Sequence, residues 1–413
     1  MTRYRVAMIP LDEALAFVLD RVKALSPVRI ATADAYGCVL AEPVIAVEPV
    51  PPFANSAMDG YAVRAADTAG APVELPVVGV LAAGADPSSV RVDAGNAVRI
   101  MTGAPMPDGA DAIVIVELTH ALDDGARVRI DAPTNVGDHV RVAGDDIRAG
   151  DVVFESGERL SAAHLGVLAS LGVIEVSVVP RPRVGVLSTG DELVEGAAPL
   201  APGQIRESNR HTLLPMLEEA GCEAVDLGLV RDDRALIADA IEHAVGSCDA
   251  LITSGGVSMG DFDEVKAVLS ERADDMRWMQ ISIRPAKPFA FGTIGGTPVF
   301  GLPGNPVSSV ISFELLARPA LRKMMGHGDD DLDRPRLLAT ATDALRRGPD
   351  GKTHYARVVL TTHDGRLHAR SAGGQGSHQL AALAAANALA VLPDGDGMNA
   401  GDEIEVIPLA WPS

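Results

Sequence analysis

The sequence predicts a multidomain protein in which a parallel α/β domain is combined with β-barrel lobes. Strand-like apolar runs alternate with amphipathic segments over residues 183–325, and this alternation is typical of a parallel sheet with helices on both faces. Residues 73–142 contain short valine and isoleucine runs broken by glycine, proline and aspartate, which predicts a small barrel or sandwich. Residues 336–408 are again β-rich, with one alanine-rich helix-like segment. A chain of 413 residues is long enough for several such domains.

The N-terminal residues predict a linking domain that the first β lobe interrupts. Apolar residues at helical spacing predict a helix over 11–25, which Pro27 ends. A second helix is predicted over 161–171, with Gly172 as its stop. The proline-rich turn at 49–53 marks a hinge into the lobe. We therefore predict four domains: 1–49 with 140–178 as a discontinuous N-terminal linking domain, 50–139 as the inserted β lobe, 179–328 as the α/β domain, and 334–413 as a C-terminal β-barrel domain.

The α/β domain has a regular order of predicted elements. Each strand is a short apolar run, and each helix is an amphipathic segment that follows a turn. A polar, acid-rich linker over 327–333 separates this domain from the C-terminal barrel. The predicted strands are 183–187, 224–229 and 250–253, the predicted helices are 209–220, 234–245, 263–271 and 306–325, and a β-rich piece lies at 276–302.

Composition and charge exclude several classes of function. The 56 acidic against 35 basic residues give a formal net charge of −21, which disfavours nonspecific binding to nucleic acid or an anionic membrane. The three cysteines are scattered and form no CxxC or Cys/His cluster, which favours a reducing compartment. The N-terminus lacks the apolar core of a signal peptide, and the weakly polar run at 380–392 is too short to span a bilayer. We expect a cytoplasmic protein that contacts neither nucleic acid nor membrane.

The most informative stretch is the glycine-rich loop at 254–263, which follows a buried-looking strand and precedes a helix. Gly255 and Gly256 let main-chain N–H groups approach an anion, and the helix start adds a partial positive charge. Asp261 and Asp263 would supply oxygen ligands for Mg²⁺. The alternative is that the glycines only form a turn and an aspartate caps the helix.

Other loops of the same domain repeat this chemistry. Residues 188–192 combine small residues and glycine with Asp191 and Glu192, again after an apolar strand. Residues 303–306 form a Pro-Gly-Asn-Pro turn before the last helix, and Arg284 and Lys287 flank a proline-stiffened turn. Because ligands bind at the carboxyl ends of parallel strands, these loops predict a nucleotide or phosphate site with a metal.

Two motifs of the inserted lobe contain candidate site residues. Asp59 precedes Gly60 within the run 55–63, where an ordinary Asp-Gly hairpin turn is the alternative. Thr102 lies in the run 99–105 and could bind a ligand phosphate, although it could also only stabilise the turn.

Taken together, these motifs resemble the molybdopterin molybdenumtransferase family, which includes bacterial MoeA and the E domain of gephyrin. The resemblance covers nearly the whole chain, and its motifs stand in the family's order at 55–63, 101–105, 188–193, 253–263 and 301–306. It implies insertion of molybdenum into adenylylated molybdopterin, with molybdate as a substrate, Mg²⁺ as cofactor and release of AMP. It also implies an elongated homodimer, and the molybdopterin adenylyltransferase is a candidate partner. The site would lie between the α/β domain of one subunit and the N-terminal lobes of the other.

The resemblance also implies roles for individual residues. Asp232 has an alternative role as a helix cap, and Arg357 and Ser377 could instead be surface residues of the barrel. His354 and His378 are predicted surface histidines, since neither has an evident acidic partner in the sequence. The implied catalytic residues are Asp59, Thr102, Glu192 and Asp263; the metal ligands are Asp261, Asp263, Glu192 and Asp232; and the substrate-binding residues are Ser254, Gly255, Gly256, Arg284, Lys287, Pro303, Asn305, Arg357 and Ser377.

The chain departs from the family's usual pattern at one turn. The family's Pro-Gly-Lys-Pro is Pro-Ala-Lys-Pro here, so Ala286 would cost about 1 kcal/mol or more if the position needs a positive φ. Arg284 stands where a lysine is often found, which keeps the charge but changes its reach and geometry.

Other functions remain as alternatives at this stage. A molybdopterin adenylyltransferase-like enzyme would share the α/β domain, but the motifs around Asp59 and Thr102 argue against it. A cofactor-binding or scaffold paralogue is a second alternative. A dinucleotide-dependent dehydrogenase is disfavoured because no GxGxxG opens the first βα unit. The sequence does not distinguish molybdenum from tungsten.

Overall fold

The computed structural model describes residues 8–256 and 264–410. This part of the chain forms two compact units. The first contains the residues up to Val28, Gly37–Ala41 and the chain from Ser177 onward, and the second contains Arg29–Tyr36 and Glu42–Val176. Within the described ranges, no helix is long and apolar enough to cross a membrane. The four finer domain boundaries remain predictions.

The first part of the chain has short elements. Helix α1 is shorter than predicted because the following main chain bonds elsewhere: the Leu25 N–H donates to Met324 O at 2.9 Å. The second predicted helix is confirmed, with Ser161 before it and Gly172 at φ +69° after it. The helices are α1 (Leu11–Leu19) and α2 (Ala162–Ser170), and the strands are β1 (Val28–Ala31), β2 (Val39–Leu40), β3 (Val44–Ile45), β4 (Asn55–Ser56), β5 (Gly60–Val63), β6 (Val73–Leu81), β7 (Ala97–Ile100), β8 (Ala112–Ile115), β9 (Thr119–Leu122), β10 (Arg127–Ile130), β11 (Val140–Arg141), β12 (Val152–Phe154) and β13 (Glu175–Val179).

The second unit is built around a six-stranded sheet in the order β8-β5-β7-β6-β10-β9. Val63, Ala97 and Val128 are buried in one apolar cluster, and Val98 and Ile113 lie in another. This β-rich lobe agrees with the short valine and isoleucine runs from which it was predicted. The strands also approach closely at Gly60, where a Cβ atom would lie 2.2 Å from Val114 O, so only glycine fits there.

The α/β domain of the first unit contains the predicted alternation. Its predicted helix at 209–220 is confirmed residue for residue, and the helix predicted over 306–325 contains a π-helical segment, Phe313–Ala317. That segment precedes Pro319, which has no N–H to continue the α-helical ladder. The strands are β14 (Arg183–Thr189), β15 (Leu193–Val194), β16 (Ile205–Arg206), β17 (Glu223–Val230), β18 (Ala250–Ser254), β19 (Asp275–Gln280), β20 (Ile283–Arg284), β21 (Pro288–Ile294) and β22 (Thr297–Leu302), and the helices are α3 (Asn209–Ala220), α4 (Arg234–Ser247), α5 (Glu264–Arg272), α6 (Pro306–Ser312) and α7 (Arg318–Met324).

The sheet of this domain is only partly parallel. Its order is β17-β14-β18-β22-β21-β19, in which the first four strands are parallel and the β22–β21 and β21–β19 pairings are antiparallel. The predicted parallel α/β sheet is therefore confirmed, and the β-rich piece predicted at 276–302 adds two antiparallel pairings at one edge. Only Gly295 and Gly296 join β21 to β22, and both have positive φ. A two-residue connection of this kind closes an antiparallel hairpin, whereas parallel strands need a long crossover.

The C-terminal residues form the predicted barrel. Strands β25, β26, β23, β29 and β27 pair in that order, and an additional β25–β27 pairing closes the ring. β20 of the preceding domain pairs in parallel with β25, which places Arg284 opposite His354. The strands are β23 (Leu337–Ala341), β24 (Leu345–Arg346), β25 (Thr353–His363), β26 (Arg366–Ser371), β27 (Ala388–Leu392), β28 (Gly397–Met398) and β29 (Glu403–Pro408), with helix α8 (Leu380–Ala384).

Candidate active site

A cavity of about 720 Å³ opens at the carboxyl ends of three parallel strands. Thr189 ends β14, Ser254 ends β18 and Pro303 follows β22, so the loops predicted to form a site do meet here. Seven predicted site residues lie on its wall: Glu192, Asp232, Ser254, Gly255, Gly256, Pro303 and Asn305. Predicted ligands Asp261 and Asp263 lie outside the described residues.

The wall of this cavity is acidic. Among its described residues, the carboxylates of Glu192, Glu207, Asp232 and Glu264 face a single guanidinium, that of Arg206. Carboxylate oxygens are the ligands that Mg²⁺ prefers. The excess of acids therefore favours a cation inside the cavity.

Asp232 does not act as the helix cap that the sequence allowed. The cap of α4 is the neighbouring Asp233, whose Oδ1 accepts hydrogen bonds from the N–H groups of Ala235 at 2.9 Å and Leu236 at 3.0 Å. Asp232 instead accepts from the Asp191 N–H at 3.3 Å and lies on the cavity wall. Its carboxylate therefore links two strand-end loops.

The paired glycines have the left-handed backbone that the loop requires. Gly255 has φ +100° and Gly256 has φ +75°. A Cβ atom on Gly256 would lie 2.4 Å from Cβ of the buried Val265, so even alanine would clash. The glycines thus allow α5 to pack closely against the cavity wall, and the Gly255 N–H donates to Leu302 O at 3.1 Å.

Asn209 is a site residue that the sequence interpretation missed, since it was assigned only to the start of a helix. Its buried amide Nδ2 donates to Ser254 Oγ and to Gly304 O, both at 2.8 Å. The side chain therefore fixes two predicted loops relative to each other. The one sequence signal for this role is the position of Asn209 at a helix start, directly after Ser208.

The predicted cations lie away from this wall. Arg284 lines a second cavity, of about 400 Å³, together with His354, Gln375 and Gly376. Its Nη1 lies 3.7 Å from Asp350 Oδ2. Lys287 is exposed.

Arg357 is fully buried, which rules out the surface alternative for this residue. Its Nη2 donates to Gly374 O at 2.6 Å and Gly376 O at 3.1 Å, while Nε and Nη1 have no hydrogen-bond partner among the described residues. Burial lowers the pKa of this guanidinium. Ser377, three residues after Gly374, accepts the first N–H of α6, from Val307, at 3.1 Å through its carbonyl. The Arg357 side chain therefore has no solvent-exposed surface.

Of the two histidines predicted to be surface residues without acidic partners, His378 is exposed as predicted, whereas His354 is not. Nε2 of His354 lies 3.1 Å from Asp350 Oδ1, and the side chain is largely buried. Burial lowers the pKa of His354, although the hydrogen bond to the Asp350 carboxylate opposes the effect. His378 lines the main cavity.

In the second unit, Asp59 and Thr102 form one cluster. The Thr102 N–H and hydroxyl both donate to Asp59 Oδ1, at 2.7 and 2.8 Å. These bonds, the main-chain one first, hold the pKa of Asp59 below its ordinary value. Both side chains are exposed. The pair therefore presents an ionised carboxylate in a fixed orientation.

We expect Thr102→Val to raise the pKa of Asp59 toward its ordinary value, because the variant keeps the main-chain donor but loses the hydroxyl donor. The change is measurable by ¹³C NMR titration of the aspartate carboxyls. Since a lowered folded-state pKa stabilises the native state above the unfolded pKa, that contribution disappears as pH falls through the folded pKa, and it should disappear at a higher pH in the variant. Thr102→Ser is the control and should titrate as the wild type does.

Ala286 has φ +73° and is 1% exposed, so the turn has the left-handed conformation that the family's glycine suits. We expect Ala286→Val to destabilise the protein by about 2 kcal/mol or more, because a β-branched side chain is strained at positive φ and the site is packed. Ala286→Gly should stay within about 1 kcal/mol of the wild type, since relief of strain is offset by chain entropy. Urea denaturation measures both, and equal stability of the valine variant would contradict the argument.

Known protein families and individual proteins match nearly the whole chain. Three protein families match by sequence. The MoeA N-terminal region (domains I and II) matches residues 9–172, a probable molybdopterin binding domain matches residues 185–323, and the MoeA C-terminal region (domain IV) matches residues 339–409. A molybdopterin molybdenumtransferase of Haemophilus influenzae is 38% identical over 97% of this chain and 98% of its own length. Molybdopterin molybdenumtransferase 2 of Mycobacterium tuberculosis is 40% identical over 97% of this chain and 99% of its own.

Solved structures agree with the sequence comparison. The crystal structure of a molybdopterin biosynthesis MoeA protein from Pyrococcus horikoshii matches with a TM-score of 0.80 and 30% identity, covering 98% of this chain and 100% of the other. This likeness confirms the predicted multidomain α/β and β architecture. The chain belongs to the molybdopterin molybdenumtransferase family of enzymes.

Proposed function

We propose that the protein inserts molybdenum into adenylylated molybdopterin, taking up molybdate, using Mg²⁺ and releasing AMP. The observation that carries this proposal is the acid-walled cavity at the strand ends, in which a glycine loop, Glu192 and Asp232 come together. A pyrophosphate linkage needs both an approach for main-chain N–H groups and a cation that offsets its charge. Family membership supplies the substrate class.

Mg²⁺ fits the residues present. Glu192 and Asp232 line the cavity with oxygen donors, and Asp261 and Asp263 are the further predicted ligands. When bound, the ion would polarise the phosphoryl oxygens and offset their charge. Soft or nitrogen ligands are not prominent on this wall, where His378 is the one imidazole among the described lining residues.

The chain's own groups then have distinct tasks. The loop at Gly255 and Gly256, with Ser254 and Asn305, binds the phosphate side of the substrate, and Pro303 shapes the turn beside it. Arg284 and Lys287 supply positive charge for phosphate or molybdate. The carboxylate of Asp59, kept ionised by Thr102, orients water or a cation. Arg357 and Ser377 are proposed ligands from the barrel.

AMP release requires water to add across the phosphoanhydride bond, which yields AMP and the phosphate of molybdopterin. The two dithiol sulfurs form Mo–S bonds to molybdate, and one oxo group of molybdate leaves as water with the two thiol protons, so molybdenum keeps its oxidation state. In our proposal the protein works in the cytoplasm as a homodimer, and receives its substrate from the molybdopterin adenylyltransferase. Light scattering of the purified protein tests the dimer.

The test is AMP release from adenylylated molybdopterin by the purified protein, with and without molybdate at saturating Mg²⁺. We expect release that depends on molybdate and a pterin product that activates a molybdenum-free apoenzyme. Tight substrate binding without release would instead identify a protein that stores or delivers the cofactor. Adenylyl transfer from ATP to free molybdopterin would place the chain among the adenylyltransferases.

A further inference from the structure

We propose that Glu195, Glu207 and His211 form a binding site for a first-row divalent cation of the Zn²⁺ type, separate from the Mg²⁺ ligands proposed above. One ligand atom from each residue lies within 4.8 Å of the other two. The residues come from three places in the fold: Glu195 follows β15, Glu207 follows β16, and His211 lies in the first turn of α3.

Glu207 is the observation that points to a ligand. Its side chain is only 1% exposed, and its Oε2 has no hydrogen-bond partner in the part of the chain that the structure describes. Its other oxygen, Oε1, accepts from Ser188 Oγ at 3.0 Å and from the Arg210 N–H at 2.8 Å. A buried carboxylate that makes hydrogen bonds through only one of its oxygens destabilises the folded state, unless a cation or a hydrogen-bond donor binds the second oxygen.

His211 supplies the ligand atom that lies near that oxygen. Its Nε2 lies 4.0 Å from Glu207 Oε2, four residues along the chain. Ligand atoms bound tetrahedrally to one zinc ion at about 2.0–2.2 Å lie about 3.3–3.6 Å apart, so the exposed His211 ring needs to move by only about 0.5 Å to bind the same ion as Glu207. Glu195 and His211 are exposed and can adjust, whereas Glu207 is already held.

The charged groups around Glu207 also favour binding of a cation. The Arg210 guanidinium contacts Glu195 and Asp226, and its Nε lies 4.0 Å from Glu207 Oε2, too far for a hydrogen bond. Three carboxylates, from Glu195, Glu207 and Asp226, against this one guanidinium leave a net charge of −2 when His211 is neutral. A divalent ion neutralises the cluster.

The donor set selects the class of metal. Two carboxylates and one imidazole suit Zn²⁺ or a neighbouring transition metal, with water in the fourth position, whereas Mg²⁺ prefers oxygen alone. Bound there, the ion would tie the segment after β15 to the start of α3. Because Glu207 also lines the main cavity, the ion would hold one edge of that cavity.

The test uses the full-length, tag-free protein, stripped with a chelator and dialysed. Zn²⁺ is titrated by calorimetry, bound zinc is counted by mass spectrometry after gel filtration, and Co²⁺ is used for its visible absorption. We expect one zinc per chain, a visible Co²⁺ band, and a melting temperature raised by zinc. His211→Ala should weaken zinc binding at least about ten-fold. The control His243→Ala removes an exposed histidine of α4 and should bind as the wild type does.

Two results would overturn the site. One is equal zinc binding by the wild type and His211→Ala. The other is a protected Arg210 Nε–H signal in NMR spectra that zinc leaves unchanged, since this would show that Arg210 itself satisfies Glu207. The proposal does not depend on the proposed reaction, because zinc binding is measured without substrate. If the protein binds zinc but inserts no molybdenum, only the proposed reaction is contradicted, and the proposed zinc site stands.

Discussion

Asp59→Asn is expected to lower molybdenum-insertion turnover by about 100-fold or more while leaving the protein folded. The asparagine keeps the shape and an oxygen that accepts from Thr102, so the turn can form as in the wild type. It removes the negative charge, and loss of one correctly placed charged or hydrogen-bonding group in a transition state typically costs about 10²–10³ in rate. Steady-state AMP release at saturating molybdate and Mg²⁺ measures the effect.

The matched control for this prediction is Asp108→Asn, in the same unit. Asp108 is exposed and lies 3.9 Å from Arg91, an ion pair that contributes little. Both variants change the net charge equally, so a general electrostatic effect would lower both rates alike. Near-wild-type turnover of Asp59→Asn would remove Asp59 from the site.

We expect Asn209→Asp to reduce the free energy of unfolding of the first unit by about 2–4 kcal/mol. The change is nearly isosteric, but it removes the two N–H donors that hold Ser254 Oγ and Gly304 O. Ser254 can rotate its hydroxyl to donate, whereas the Gly304 carbonyl is left facing a second acceptor. Urea denaturation followed by tryptophan fluorescence, to which Trp278 of β19 contributes, measures the loss.

Asn96→Asp, at a partly buried asparagine of the other unit, is the control for the added charge and should change stability by less than about 0.5 kcal/mol. Asn209→Asp should also weaken substrate binding, because the loops at Ser254 and Gly304 form adjacent parts of the cavity wall. If the variant kept the wild-type unfolding midpoint, the two hydrogen bonds would not be what fixes these loops.

The sequence by itself determined the elements whose causes are local. The α3 helix, the glycines after β18 and the stop of α2 at Gly172 follow from apolar periodicity and from positive φ, which a short window of residues reveals. Strand-end loops rich in glycine and acid also predicted the region where seven site residues now line one cavity. The family motifs, in order along the chain, predicted the family.

Only the tertiary structure decided what depends on residues distant in sequence. The early end of α1 at Leu19 and the bridging role of Asn209 each rest on partners far along the chain. The same holds for Arg357, which local polarity suggests is accessible but which the closed barrel and the carbonyls of Gly374 and Gly376 bury. The burial of a side chain and its hydrogen-bond partners depend on the residues that surround it in space. A sequence window therefore predicts which residues can take part in a site, and the packing of the chain selects which of them do.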